Sequence, residues 1–137
     1  MNVVLDASVV AKWYFEEENT NKSLTLLEKH KTEDCNIAVP LLLLFEFGNI
    51  SITKFGQKIT FKRELNRNLS NLLRSEINFI KPSEEILRKT LALACQYKIT
   101  FYDATYVATA KKLKCEFVTA DEKLYNATKK LKFVKLL

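Results

Sequence analysis

Short apolar runs alternate along the chain with longer segments in which apolar residues recur at helical spacing. The apolar runs predict strands at residues 3–5, 37–39, 78–80, 117–119 and 133–135. The segments between them predict helices up to residue 13, over 20–30, from 40 to about 52, over 61–73, 83–97 and 100–113, and after 121. Short strands separated by helices indicate a mostly parallel sheet covered on both faces. The pattern therefore predicts an α/β fold of three layers, with helices on either side of the sheet.

Proline and glycine are scarce, which limits where the chain can break its regular structure. There are two prolines and two glycines. Pro40 follows the second predicted strand, and we expect it in the first turn of the next helix, where its missing N–H costs nothing. The glycines, Gly48 and Gly56, are too few for a phosphate-cradling loop or a dinucleotide fingerprint. Nucleotide binding of those two kinds is excluded.

Two aspartates stand where predicted strands end. Asp6 directly follows the strand at 3–5, and Asp121 lies just beyond the strand at 117–119. The carboxyl ends of parallel strands meet at one edge of the sheet, where α/β folds place their binding sites. Aspartate is also a favoured helix N-cap, so capping explains either position about as well.

Two further acids complete a candidate set. Asp103 lies three residues after Thr100 at the start of a predicted helix, in a pattern close to a capping box. Glu46 interrupts the apolar run LLLLFEFGNI, although glutamate is seldom buried without a partner. Asn49 lies three residues further on and shares a helical face with Glu46. We expect these two side chains to form a polar patch at the end of a buried helix.

Four acids that converge on one cleft would make a cation site. Clustered carboxylates repel one another and raise one another's pKa values. Bound cations relieve that repulsion, and all-oxygen ligands select Mg2+ or Mn2+ over Zn2+. Two such ions side by side are a known device for cleaving phosphodiester bonds.

The overall charge and the scarce reactive residues narrow the chemistry. The chain carries 22 Lys+Arg against 16 Asp+Glu, a net charge of +6, which favours a polyanionic partner such as nucleic acid. The single histidine, His30, excludes a ribonuclease mechanism that uses a histidine pair. Cys35, Cys95 and Cys115 are too widely spaced for a zinc site or a disulfide framework, and we expect buried, reduced thiols.

Nothing in the sequence predicts targeting or membrane insertion. The N-terminal segment lacks a basic start followed by an apolar run, and the longest apolar run, residues 39–45, is too short to span a bilayer. No linker or change of composition divides the chain. We expect one domain over residues 1–137, located in the cytoplasm and without a membrane partner.

Four motifs in order resemble those of PIN-domain ribonucleases. They are VVLDASVV, EFGN, YDATYVATA and FVTADEKL. Each motif is short, but four in this order with matching secondary structure are specific, and the resemblance covers essentially the whole chain. Within the family the sequence is most similar to toxins of toxin–antitoxin pairs of the VapC type. The resemblance implies a PIN-like α/β fold with the three layers predicted above.

The resemblance also implies roles for residues. It implies four catalytic, metal-binding acids: Asp6, Glu46, Asp103 and Asp121. Three polar positions match residues that support the acids or their waters: Ser8, Asn49 and Thr119. The implied activity is endonucleolytic cleavage of RNA with Mg2+ or Mn2+ as the cofactor. The implied partners are the RNA substrate, a small antitoxin that occupies the cleft, and a second copy of the chain in a homodimer.

Basic and aromatic clusters are candidate RNA contacts. Lys54, Lys58 and Lys62 recur every four residues and share one face if the segment is helical, with Arg63 and Arg67 extending it. Further lysines cluster at residues 111–114 and 129–135. A solvated charged face is the simpler explanation for each cluster. The aromatic residues at 13–15 suit base stacking or antitoxin contact, although core packing explains at least one of them better.

Two alternative functions stay open. An aspartyl phosphatase also places an acid after its first strand, but its pattern is D-x-D, and here Ser8 stands in the third place. A non-catalytic PIN-like module that binds RNA or a protein would keep the fold without the activity. The presence of all four acids argues against this second alternative.

Overall fold

Five parallel strands form the centre of the computed structural model, which describes residues 1–56 and 61–137. The strands are β1 (Asn2–Leu5), β2 (Asn36–Pro40), β3 (Asn78–Ile80), β4 (Glu116–Thr119) and β5 (Val134–Leu136). Their order in the sheet is β3-β2-β1-β4-β5. In the central strand, Val3 pairs with Ile37 of β2 and with Glu116 of β4. The carboxyl ends of β1 and β4 therefore lie side by side.

Within the described ranges, seven α-helices connect and cover the strands. They are α1 (Ala7–Val10), α2 (Thr20–Lys31), α3 (Leu42–Phe55), α4 (Lys62–Leu73), α5 (Glu84–Tyr97), α6 (Phe101–Leu113) and α7 (Glu122–Thr128), and a 3-10 turn at Ala11–Trp13 follows α1. Right-handed crossovers place α1–α4 on one face of the sheet, where the chain moves outward to β3. The return across the sheet to β4 places α5–α7 on the other face. The predicted three-layer α/β fold is confirmed.

Helix α6 is the most buried helix of the fold. It packs on β1, β2 and β4, and every residue from 104 to 110 is buried. The small side chains of Ala104, Ala108 and Ala110 allow this close approach to the sheet. As a result the start of α6, with Asp103, is held firmly beside the middle of the sheet.

Pro40 ends β2 instead of opening the next helix, so the prediction for this residue is wrong. Pro40 pairs with Ile80 of β3, and α3 begins at Leu42. The Leu41 N–H donates to the Ile80 carbonyl at 3.1 Å, so the missing N–H of Pro40 falls on the opposite, β1 side. The ladder with β1 has already ended at Ala38, so no hydrogen bond is lost there.

Lys54 and Lys62 lie on different helices, so these two lysines do not share one helical face. Helix α3 ends at Phe55, Gly56 follows with a φ of 71°, and α4 begins only at Lys62. Lys58 lies outside the described residues.

Among the cysteines, which are all free, Cys35 is buried as expected, but Cys95 is exposed.

The aromatic residues at 13–15 pack inward. Phe15 is buried, Tyr14 meets Phe47 edge-on with ring centroids 5.2 Å apart, and the Trp13 indole donates to the Ser23 carbonyl at 3.0 Å. Core packing therefore accounts for all three. No helix in the described ranges is long and apolar enough to cross a membrane.

Candidate metal centre

Asp6 lies at the carboxyl end of the central strand and is only 6% exposed. Its Oδ1 accepts hydrogen bonds from the Ser8 hydroxyl and from the Val9 N–H at 3.2 Å, so Asp6 is the N-cap of α1. Its Oδ2 accepts from the Thr119 hydroxyl at the end of β4. Burial raises the pKa of Asp6 to about 6, although these hydrogen bonds oppose the rise.

Glu46 projects from the first half of α3 and is partly buried. Burial raises its pKa to about 7; the Tyr106 hydroxyl acts against the rise, and the charges of Asp103 and Asp6 add to it. Within the described ranges, its Oε1 atom is buried without a hydrogen-bond partner. This acid is thus desolvated and close to two other carboxylates.

Asp103 lies in the first turn of α6, which Thr100 caps by accepting from the Asp103 N–H at 3.0 Å. Partial burial raises its pKa, the Thr100 hydroxyl lowers it, and the charge of Asp121 raises it again. Asp103 is therefore the acid that links Asp121 electrostatically to the rest of the cluster.

Asp121 is the N-cap of α7 and is exposed. Its Oδ1 accepts from the Lys123 N–H at 2.9 Å and from the Leu124 N–H at 3.1 Å. Its own N–H donates to the Thr119 hydroxyl at 3.0 Å. The Thr119 hydroxyl thus links Asp121, at the start of α7, to Asp6, at the end of β1.

The fold gathers the four predicted acids around one edge of the sheet, and no lysine or arginine of the described residues balances their charge. None of the pKa shifts of Asp6, Glu46 and Asp103 has a lysine or arginine among its causes. Across residues 1–56 and 61–137, however, no three acids, histidines or cysteines already stand close enough to hold a metal ion together. The side chains form an open acidic site that small rotations would have to close.

The three predicted supporting residues fall into two groups. Ser8 and Thr119 both donate to Asp6, and Ser8 also accepts from the Ala120 N–H at 3.0 Å, which links α1 to the end of β4. Asn49 is exposed, and the bond it makes is through its backbone carbonyl, which accepts from the Thr53 hydroxyl at 3.0 Å. Ser8 and Thr119 are therefore part of the acidic site as it stands, whereas the Asn49 side chain is not.

Sequence reasoning missed Tyr106. Its side chain is fully buried, its ring stacks on Phe117 with centroids 6.0 Å apart, and its hydroxyl lies close enough to Glu46 to affect the pKa of that acid. The available signal was the spacing D-x-x-Y, which places Tyr106 on the same helical face as Asp103.

An apolar groove borders the acids. It is lined among others by Pro40, Leu42, Phe45, Leu87, Phe101 and Tyr102. The Phe45 side chain is 78% exposed and that of Tyr102 62% exposed, and these residues directly precede Glu46 and Asp103 in the chain. Large exposed apolar side chains that cluster in this way mark interaction surfaces.

Comparison with known proteins matches this chain to a family. The family model described as "PIN domain" matches residues 3–130. Ribonuclease VapC3 of Pyrobaculum aerophilum is 28% identical over 129 residues, which are 90% of this chain and 92% of that protein. A toxin–antitoxin complex from Klebsiella pneumoniae matches with a TM-score of 0.67 and 20% identity over 97% of this chain and 95% of the other. The sarcin–ricin-loop-cleaving toxin VapC20 of Mycobacterium tuberculosis matches with a TM-score of 0.70 and 13% identity over 91% and 94%. The chain belongs to the PIN-domain family.

Proposed function

We propose that this protein is a metal-dependent endoribonuclease, the toxin of a toxin–antitoxin pair, that hydrolyses RNA phosphodiester bonds at the acidic site. The proposed catalytic and metal-binding residues are the four acids: Asp6, Glu46, Asp103 and Asp121. One domain over residues 1–137 carries the activity, and the RNA substrate places it in the cytoplasm. Family membership and the name of the Pyrobaculum relative support this proposal.

The observation that carries the proposal is the uncompensated charge of the acids. Burial and mutual repulsion raise the pKa values of Asp6, Glu46 and Asp103, in a chain whose net charge is +6. Within residues 1–56 and 61–137, no lysine or arginine contributes to these pKa shifts, so the site is suited to an external cation.

The donor set fits Mg2+ or Mn2+. It consists of carboxylate oxygens, which hard divalent cations prefer, and Glu46 Oε1 is a buried oxygen that still lacks a partner. A divalent cation bound there would supply Lewis-acid stabilisation of the charge that builds up at the scissile phosphate during attack by water. Asp6 would bind the cation at the buried end of the site, where Ser8 and Thr119 fix the orientation of its carboxylate. Asp103 and Asp121 are the acids that reach toward solvent and the RNA.

The alternative of an aspartyl phosphatase lacks its second acid. Ser8 occupies the place of that acid in a D-x-D motif, and its hydroxyl donates to Asp6. The second acid of that motif donates a proton during the reaction, a role that a serine hydroxyl does not fill.

The proposed partners follow from the surface around the site. The exposed lysines at 111–114 and Lys132 lie beside Met1, Asn2 and Glu116, at the opposite edge of the sheet from the acids, so phosphate contacts there would be remote from the cleavage site. A protein seated on the apolar groove beside Phe45 and Tyr102 would also cover the acids. This arrangement supports a small antitoxin as the inhibitor, as does the similarity of the fold to the Klebsiella toxin–antitoxin complex. The homodimer is proposed from the family resemblance alone.

The test is RNA cleavage by purified protein with Mg2+, with Mn2+ and with EDTA, on structured RNA that includes a sarcin–ricin loop and on unstructured RNA. We expect metal-dependent cleavage that the double variant Asp6→Asn/Asp103→Asn loses at least 100-fold, about 3 kcal/mol of transition-state stabilisation. The variant Glu33→Gln/Asp34→Asn removes the same charge from an exposed turn and is expected to cleave like the wild type. Cleavage that survives in EDTA or in the double variant would refute the proposal. RNA binding by a folded wild type that neither binds Mn2+ nor cleaves would favour the non-catalytic module.

A further inference from the structure

The hydroxyl of Tyr106 is buried without a hydrogen-bond partner among the described residues. The side chain is 1% exposed, so water does not replace the missing partner at the surface. An unpaired buried hydroxyl costs folding free energy, and native proteins seldom keep one without a reason. A phenylalanine at this position would fill the same space without that cost.

The ring of Tyr106 is held so that the hydroxyl stays near the acids. Its plane lies within 14° of the Phe117 ring on β4, and it sits in the buried centre of α6. The charges of Glu46, Asp6 and Asp103 all act on this hydroxyl, so it lies near three of the acids. A phenol hydroxyl carries one proton that it can donate to a carboxylate.

Glu46 supplies the matching acceptor. Its Oε1 atom is buried without a hydrogen-bond partner in the described part of the chain, and the Tyr106 hydroxyl is close enough to lower the pKa of this carboxylate. Asp6, in contrast, receives two hydroxyls and one backbone N–H. Glu46 thus has a free buried oxygen, with an unpaired hydroxyl beside it.

We propose that Tyr106 is a positioning residue that donates a hydrogen bond to the Glu46 carboxylate and holds this acid toward the divalent cation. The inference rests on the proposed function, because it assumes that Glu46 takes part in a cation site. A group that hydrogen-bonds to a metal-binding side chain and orients it changes the affinity for the metal. It does not itself take part in the reaction.

The experiment measures Mn2+ binding to the full chain by titration calorimetry, for the wild type, Tyr106→Phe and Tyr97→Phe. The Tyr106→Phe variant keeps the ring on Phe117 and removes only the hydroxyl. Tyr97 is half-buried at the end of α5 and makes no hydrogen bond to the four acids, so Tyr97→Phe is the matched control. Thermal unfolding in EDTA is recorded for the same three proteins.

We expect Tyr106→Phe to weaken Mn2+ binding about 10- to 100-fold, the usual effect of losing an outer partner of a metal ligand. The control should bind Mn2+ like the wild type, and the metal-free unfolding midpoint of Tyr106→Phe should not fall. Unchanged Mn2+ affinity in Tyr106→Phe overturns the inference, as does a loss that comes with a matching drop in metal-free stability. A folded wild type that binds no Mn2+ overturns the proposed metal site itself, which is a distinct result.

Discussion

The substitution Asp6→Asn removes the charge of the most deeply buried of the four acids. Without metal, that charge has no cation near it, and it should destabilise the folded chain wherever it is ionised. We therefore expect Asp6→Asn to gain stability relative to the wild type as the pH rises, provided that no divalent cation is present.

The magnitude follows from the pKa. Burial raises the pKa of Asp6 from its ordinary value of 3.8 to about 6, so between these values the folded chain holds a proton that the unfolded chain has released. Stability therefore falls as the pH rises from about 4 to about 6 and is constant above that. At about 1.4 kcal/mol for each tenfold change in acidity, the ionised carboxylate costs about 3 kcal/mol. The exposure of 6% leaves little solvent to reduce this figure.

Asparagine keeps the shape of the site and most of its hydrogen bonds. The hydroxyls of Ser8 and Thr119 can donate to the amide oxygen or accept from the amide nitrogen. The pKa of about 6 already includes the hydrogen bonds to the charged carboxylate, so their loss in the variant adds nothing further to the change with pH. The informative quantity is therefore the difference in unfolding free energy between variant and wild type, which should rise by about 3 kcal/mol between pH 4 and pH 7.

Urea unfolding in EDTA measures this difference, with the fluorescence of Trp13, the single tryptophan, as the probe. Asp34→Asn, on an exposed turn, is the control and should show no such rise. Adding Mn2+ at pH 7 should reverse the order, because the wild type then gains binding free energy that the variant lacks. A difference that stays flat or falls from pH 4 to pH 7 would refute the idea that buried charge at Asp6 opposes folding.

Two further substitutions test the surroundings of the site. Glu17 accepts from Lys12 at 3.2 Å and from Lys54 at 2.9 Å; burial alone would raise its pKa, but these bonds outweigh it and lower the pKa. Glu17→Gln should cost about 1 kcal/mol of unfolding free energy at pH 7 and less as the pH falls below 4.5, and an equal loss at pH 3 in urea unfolding would contradict this. Thr119→Val removes the donor to Asp6 Oδ2 and should raise the pKa of Asp6 further. Without metal, the variant's unfolding free energy should therefore fall below that of the wild type by about 1–3 kcal/mol more at pH 8 than at pH 4. Thr119→Ser should restore the wild-type behaviour, and a failure to do so would point to packing instead.

The fold was predictable because the local spacing of apolar residues indicates each helix and strand. The short apolar runs became the strands, and the helical spacings became the helices, within a few residues at each end. Pro40 shows where local rules stop. Whether it opens a helix or ends a strand depends on how far the β1 ladder extends beside β2, and that ladder ends at Ala38 through contacts distant in sequence.

The site was predictable in part, because the acids follow strand ends and helix starts that can be located in the sequence. Tyr106 was not found, since a tyrosine in a buried helix looks like core packing until its hydroxyl is seen to lack a partner. Asn49 stays a prediction. Its spacing from Glu46 suggests a shared polar patch, but helix α3 turns its side chain out to solvent. Spacing fixes a helical face only approximately, and neighbouring elements decide what that face meets.

Capping and metal binding are competing explanations of the aspartates in the sequence, but the structure makes them compatible. Asp6 and Asp121 each use one oxygen to accept backbone N–H groups, and Asp103 lies in the first turn of α6. The positive ends of three helices therefore offset part of the repulsion among the acids without a lysine, whose ammonium group would compete with a bound cation. Glu46 lies within α3 and has no such helix end beside it. Burial raises its pKa to about 7, and the Tyr106 hydroxyl is the neighbouring group that lowers this pKa.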